Sequence, residues 1–446
     1  MKNLHKIFLC LCCLWLMTAC ASHLEEGFTP DAGISDGSGN NLKPIPGKNP
    51  EDKDRHVLLL YMAGYNSLFR FIKADIEDIL TGWLPRKTEN DNVLLIYAHL
   101  AEYGNYNRPI SPVLMRVTRD DNDETSAVVD TLVVYDKNTI SSSPEQMNDV
   151  LTYVKESFEA DHYGLTFSSH STGFLPVGYT SITSTLSLLS HGQIRENYGS
   201  GPVPYTEFIR DSFRPEVKSI GSDRVGEFSH EMELTDFAEC IPFKLDYIMF
   251  DTCLMGGIEV AYELKDKCDM LAFSQTEILA EGFNYKTLVQ HLLGNKNPSL
   301  IDVCKDYFDY YNAETGMDRS ATISLVDCKK LDELAKTCKS IFANNRDGLA
   351  SIDYYSVQRY HDIDWPWFYD MEDIIVKAGA GSAELESLRA ALDKCVIYKA
   401  HTPSFMNLFD INTHCGFSMY IPASGSAYLN RFYKGLQWNK ATSLVE

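Results

Sequence analysis

The chain has 446 residues, 44% of them hydrophobic and 12% aromatic, enough for one large domain or two ordinary ones. Asp and Glu outnumber Lys and Arg by 62 to 40, a formal net charge of −22. That balance disfavours nucleic acid and anionic membrane surfaces as partners and would attract a basic substrate.

Lys2 and Lys6 precede an apolar run, 7–17, that ends in Thr18-Ala19-Cys20. This is the layout of a secretory signal peptide, and the run is too short to span a membrane as a helix. Its end resembles a bacterial lipobox, with Met17 where Leu is more usual and Cys20 as the residue that would carry the lipid. Residues 21–55 are polar and rich in Gly, Pro, Asp, Asn and Ser, as expected of a flexible tether. These two segments imply an exported, membrane-anchored bacterial lipoprotein, on the periplasmic side or the cell surface.

The folded part starts at His56. A continuous apolar run, 57–62, reads as a buried strand, and a helix follows near 69–82 with Phe71, Ile72, Ile76 and Ile79 on one face. The run 93–98 is the next strand, with His99 at its end in a structural role. Strand-like pieces at 113–117 and 127–134 suggest a hairpin. The acidic run between them, 120–124, could hold calcium but lacks the EF-hand pattern and reads as a solvated turn. Ser143 as N-cap and Pro144 at N1 open a helix to 158. A strand from Tyr163 then runs into His170. Strand and helix in alternation predict a parallel sheet covered on both faces.

The stretch 178–228 loses regular pattern and carries Arg195, Arg210, Arg214, Lys218 and Arg224; it reads as an exposed insertion. After a helix at 233–240, the apolar run 247–250 breaks at Asp251-Thr252-Cys253, and helical spacing resumes over 256–264. Ile258, Ala261 and Tyr262 share a face of that helix, while Glu259 and Glu263, at i, i+4, could face solvent and are left out of the site. A strand at 270–274, a loop, helices at 285–293 and 299–311 and a strand at 321–326 complete a core of about 56–328. The remainder, 329–446, is largely helical (329–344, 366–378, 382–394), with a closing strand at 416–422 and a last helix at 427–433. Trp365, Trp367 and Tyr369 read as a helix packing its aromatics inward rather than as a sugar-stacking surface.

Cys253 and His170 thus each end a strand, the edge where open α/β sheets bind ligands. A thiol near a helix N-terminus favours its thiolate, and an imidazole nearby can take and return its proton. Asp251 could instead cap the start of the following helix. Of the twelve cysteines, Cys10, Cys12, Cys13 and Cys20 lie in the leader. The rest form no C-x-x-C pair, so a structural zinc site has little support.

At several places in order, the chain resembles the clostripain-like cysteine peptidases. Asp251-Thr252-Cys253-Leu254-Met255-Gly256 with Glu259, Ala261, Tyr262 and Glu263 carries the most specific match. Supporting matches are 60–68, His170 to Phe174, Ser274-Gln275 through Gly282-Phe283-Asn284-Tyr285, and 416–422. The resemblance, over about 56–435, implies a caspase-like three-layer α/β sandwich with a mostly parallel central sheet. It implies an endopeptidase with Cys253 as nucleophile, His170 as base and acid, and Asp251 in the pocket for a basic P1 side chain. Glu277 or Glu281 would supply a second acid there, Glu281 being the residue expected. It also implies self-cleavage in the 178–228 insertion. No cofactor is required for the chemistry, and calcium could act as a structural or activating ion. Ser171 stands where the family has Gly, as a substrate-binding residue whose own backbone N–H would help hold the oxyanion, and Phe174 and Phe283 stand where it has Trp. The alternative reading is a catalytically silent caspase-like surface lipoprotein that binds peptides or proteins.

Overall fold

The computed structural model describes residues 54–86, 92–102, 105–179, 219–225, 228–361 and 367–446. The expected signal peptide, the lipidation site Cys20, nearly all of the tether and most of the insertion lie outside these residues.

Nine strands form the main sheet: β1 (His56–Ala63), β2 (Val93–His99), β3 (Val113–Arg119), β4 (Ala127–Val134), β5 (His162–Ser168), β6 (Leu245–Asp251), β7 (Cys268–Phe273), β8 (Thr322–Asp327) and β9 (Val396–His401). Their order across the sheet is β9-β8-β7-β6-β5-β1-β2-β3-β4. The five central strands, β7 to β2, are parallel to one another. At each edge two strands are antiparallel. Every residue of β1 and β2 is buried, which explains their unbroken apolar runs. β4, at the edge, alternates between half-buried and exposed positions.

Helices cover the sheet in two layers. One contains α1 (Phe69–Thr81), α5 (Tyr285–Leu293) and α6 (Leu300–Ala313), with α5 packed against both of the others. The other runs from α2 (Pro144–Ser157) through α3 (Leu234–Cys240) and α4 (Ile258–Leu264) to the C-terminal α7 (Leu331–Asn344) and α9 (Ser382–Cys395). The result is a three-layer α/β sandwich. Chain direction reverses at β1, which leads to β2 on one side and, after α2, to β5 on the other. Such a switch point opens a crevice at the carboxyl ends of the strands.

Several expectations change. Phe71 is 38% exposed, and the buried stripe of α1 is Phe69, Ile72, Asp75, Ile76 and Ile79. The insertion contains a strand, Ile220–Val225, hairpinned to Phe228–Met232. β9 follows α9 without a turn residue, and its alternating exposure hides it in the helical tail. The closing strand shrinks to Ser418–Met419, paired with Tyr369–Asp370. That pairing takes the start of the expected 366–378 helix, which becomes α8 (Met371–Lys377), capped by Asp370. Trp367 and Tyr369 are buried. Glu259 does not face solvent: it is fully buried, and its carboxylate accepts from Tyr420 N–H (2.9 Å) and Tyr433 OH (2.6 Å). His99 is buried against Ser141 Oγ at 2.7 Å, a structural place.

Candidate active site

Register alone sets the two candidate residues side by side. β5 and β6 run parallel with Ser168 paired to Asp251, and His170 and Cys253 each lie two residues further on. Neighbouring strands are about 4.8 Å apart, so the two ends open into one space. That space is a cleft of about 360 Å³ at the carboxyl edge of the sheet. Its lining includes His170, Ser171, Asp251, Cys253, Glu277 and Ile278, with Leu68, Ile72 and Asp75 from the α1 side.

The Cys253 loop is held in an unusual backbone shape. Leu254 has φ of 61°, a conformation that costs a bulky L-residue about 1–2 kcal/mol. Leu254 N–H to Thr276 O (3.0 Å) and Gly256 N–H to Ser274 O (2.7 Å) tie the loop to the segment after β7. Helix α4 starts only at Ile258, after a four-residue loop, so its N-terminus is not directly behind the thiol. One neighbour of the sulfur is Ile278, whose N–H points at Cys253 Sγ at 3.4 Å.

The His170 loop locks onto this one. Ser171 Oγ donates to the carbonyl of Cys253. Gly173, at φ of 63°, passes so close that a Cβ there would stand 2.5 Å from Leu254 O. An antiparallel bridge joins Ser171 to Ile220. It uses the N–H groups of Thr172 and Gly221, the latter donating to His170 O at 2.9 Å, and leaves that of Ser171 unused among the described residues. His170 Nε2 meets Ser67 Oγ at 2.9 Å. Ser171, where a glycine was expected, therefore pins the two loops together with its hydroxyl.

Asp251 does not cap a helix. Its carboxylate accepts from Tyr285 OH (2.7 Å) and Ser168 Oγ (3.3 Å), and from the backbone of Phe283. Gly282, at φ of 61°, makes room for it: a Cβ there would lie 2.6 Å from Asp251 Oδ2. The Gly282-Phe283-Asn284-Tyr285 stretch is thus a cradle for Asp251. Burial pushes the Asp251 carboxyl above the usual range, against these donors.

Glu281, the expected second acid, is exposed and is not among the lining residues. Glu277 does line the cleft, facing His361 at 3.7 Å. The acid that sequence reading missed is Asp75, buried in α1 and lining the same cleft. Its signal was present: with Ile72, Ile76 and Ile79 it completes an i, i+3, i+4, i+7 stripe in which a carboxylate is out of place. Ser67 and Met406 were missed too, and neither carries a spacing signal.

In the acidic turn at 120–124, Asp120 and Asp123 accept from the turn's own N–H and OH groups. Among the described residues no group of three or more His, Cys, Asp or Glu could hold a metal ion. No helix of the described residues is long and apolar enough to cross a membrane.

A family model described as the clostripain family matches residues 60–186 and 206–443. Clostripain of Hathewaya histolytica is 20% identical over 452 aligned positions, covering 87% of this chain and 79% of that protein. Among solved structures, an inactive protease zymogen from Parabacteroides distasonis is similar with a TM-score of 0.68 at 27% identity, over 89% of this chain and 99% of that one. A secreted cysteine protease from Bacteroides thetaiotaomicron, in complex with an irreversible peptide inhibitor, gives a TM-score of 0.67 at 22% identity, over 87% and 99% of the two chains. At that identity the second likeness shows the fold.

Proposed function

The chain belongs to the clostripain family of cysteine peptidases, and we propose that it cuts peptide bonds after Arg or Lys, with Cys253 as nucleophile and His170 as base and acid. The observation that supports this most is the buried Asp251 carboxylate in the wall of the cleft that holds both residues. His170 takes the thiol proton, and the thiolate attacks the P1 carbonyl carbon. The resulting oxyanion falls to the unused N–H of Ser171. His170 then protonates the leaving amine as the C–N bond breaks, and water, activated by the same imidazole, hydrolyses the thioester. Leu68 and Ile72 suit the aliphatic stem of a P1 Arg or Lys, whose charged end then reaches Asp251.

The reading extends to maturation and location. Self-cleavage falls after Arg195, Arg210, Arg214 or Lys218 rather than Arg224, whose N–H is bonded to Tyr65 O at 2.8 Å within packed backbone. The relative described as an inactive zymogen supports a processing step. Export, with a lipid on Cys20, rests on the leader and tether in the sequence.

The test compares residues 21–446 with a Cys253→Ala version on fluorogenic peptides ending in Arg, Lys, Asp or Leu, while the mass of each protein is followed. Turnover after Arg and Lys that vanishes in the variant is the expected result, with a nick in the insertion of the parent alone. No preference for basic P1 residues would sink the specificity reading. Metabolic labelling with radioactive fatty acid, lost in Cys20→Ser, checks the anchor.

A further inference from the structure

Buried carboxylates in folded proteins find cations or several donors, because an uncompensated buried charge is costly. Asp75 has neither. It is 7% exposed, lines the cleft beside Asp251, and among the described residues its carboxylate receives no hydrogen bond and faces no cation. Its neighbours are acidic or neutral. Asp78 on the same helix is paired with Lys286 of α5 at 3.4 Å. Asp251 comes from β6, Glu281 from the loop after β7, and the Tyr285 hydroxyl from α5.

We propose that Asp75 is a specificity-determining residue, which together with Asp251 forms a two-carboxylate seat for the cation of the P1 side chain. This rests on the reading of a basic P1 preference. The substrate brings the counter-charge that the fold withholds, and two carboxylates from different elements accept donors from two sides. That geometry suits a guanidinium better than a single point charge.

The empty seat holds a proton. Burial first, then Asp251, Asp78 and Glu281, push the Asp75 carboxyl up, further than burial pushes Asp251. A basic side chain replaces that proton, which leaves to solvent. Affinity for basic substrates therefore rises with pH as the proton becomes easier to remove. Stability has the opposite sign. A carboxyl whose pKa is raised by folding binds more protons folded than unfolded, so its contribution falls as pH rises above about 4, the ordinary value for Asp.

The experiment uses Asp75→Asn and Asp75→Ala in the chain from residue 21, with the parent beside them. Peptides ending in Arg, Lys and the neutral citrulline are assayed between pH 5 and 9, and thermal midpoints are taken over the same range. The expected result is a 10- to 100-fold loss of kcat/KM on Arg and Lys peptides, about what one lost charge-assisted contact gives. The loss on citrulline should be much smaller. The fall of KM with pH seen in the parent should flatten, and Asp75→Asn should melt higher than the parent at neutral pH, with no gain near pH 4. Variants that keep the parent's Arg and Lys kinetics and pH profile would overturn the inference while the basic-P1 reading stands. Asp75→Asn melting below the parent at neutral pH would make the residue structural and overturn it too. A parent indifferent to P1 charge would overturn both readings.

Discussion

Two buried acidic centres of this molecule are built in opposite ways. Asp370, fully buried at the start of α8, accepts from Asp373 N–H (2.9 Å), Tyr360 OH (2.8 Å) and Cys415 N–H (2.6 Å). It ties α8 to the closing segment. In the cleft, Asp251 has its donors, but Asp75 beside it has none. A carboxylate that serves the fold gathers donors until its charge is spent. Asp75, in the role proposed for it, is left short, at a cost in stability that a basic side chain would remove. Glu259 lies between the two cases. One oxygen takes two donors and the other takes none, and burial raises its carboxyl to about 7.

The sharpest separation of the two centres comes from Cys253→Ala. It should remove at least about 10³-fold of turnover, the scale of a lost nucleophile, with the thermal midpoint unchanged. Asp251→Asn should cost about 10²-fold in kcat/KM on Arg and Lys peptides, a loss of about 2.7 kcal/mol, and leave alkylation of Cys253 by iodoacetamide intact. Equal losses on neutral P1 peptides would show Asp251 to be structural. Asp370→Ala should do the reverse. Leaving three buried donors unmet costs about 3 kcal/mol or more, read as a lower denaturation midpoint with kcat/KM per folded molecule preserved.

Smaller effects test the intermediate case. The folded carboxyl of Glu259 sits at about 7 against 4.5 unfolded. Its contribution to stability should therefore fall as pH rises through that window. Glu259→Gln should flatten this part of the stability profile, measured by urea unfolding at pH 4.5 and 7.5. The least is expected of Ser67→Ala. Losing one exposed hydrogen bond to His170 should lower kcat a few-fold, since such a bond is worth about 1 kcal/mol or less. No change in melting is expected.

The sequence by itself determined the sheet-and-helix order through most of the core. Apolar runs buried on both faces can only be central strands, as in β1 and β2, and the cap at Ser143 sets the start of α2, where its hydroxyl accepts from Gln146 N–H at 3.2 Å. It also marked His170 and Cys253, because strand-end residues beside small, turn-forming neighbours break a local pattern; Asp251 read locally as a helix cap, and only the family resemblance put it in the pocket. Tertiary structure decided what local patterns do not encode. Which strand pairs with which, and in what register, brought His170 and Cys253 to one cleft. Glu259 and Glu263 share a helical spacing, yet only packing against Tyr420 and Tyr433 buried the first. Asp75 lines the cleft, and Glu281 is exposed outside its lining, for the same reason. A side chain's environment is set by the elements that come to lie on it, and these are far away in the sequence.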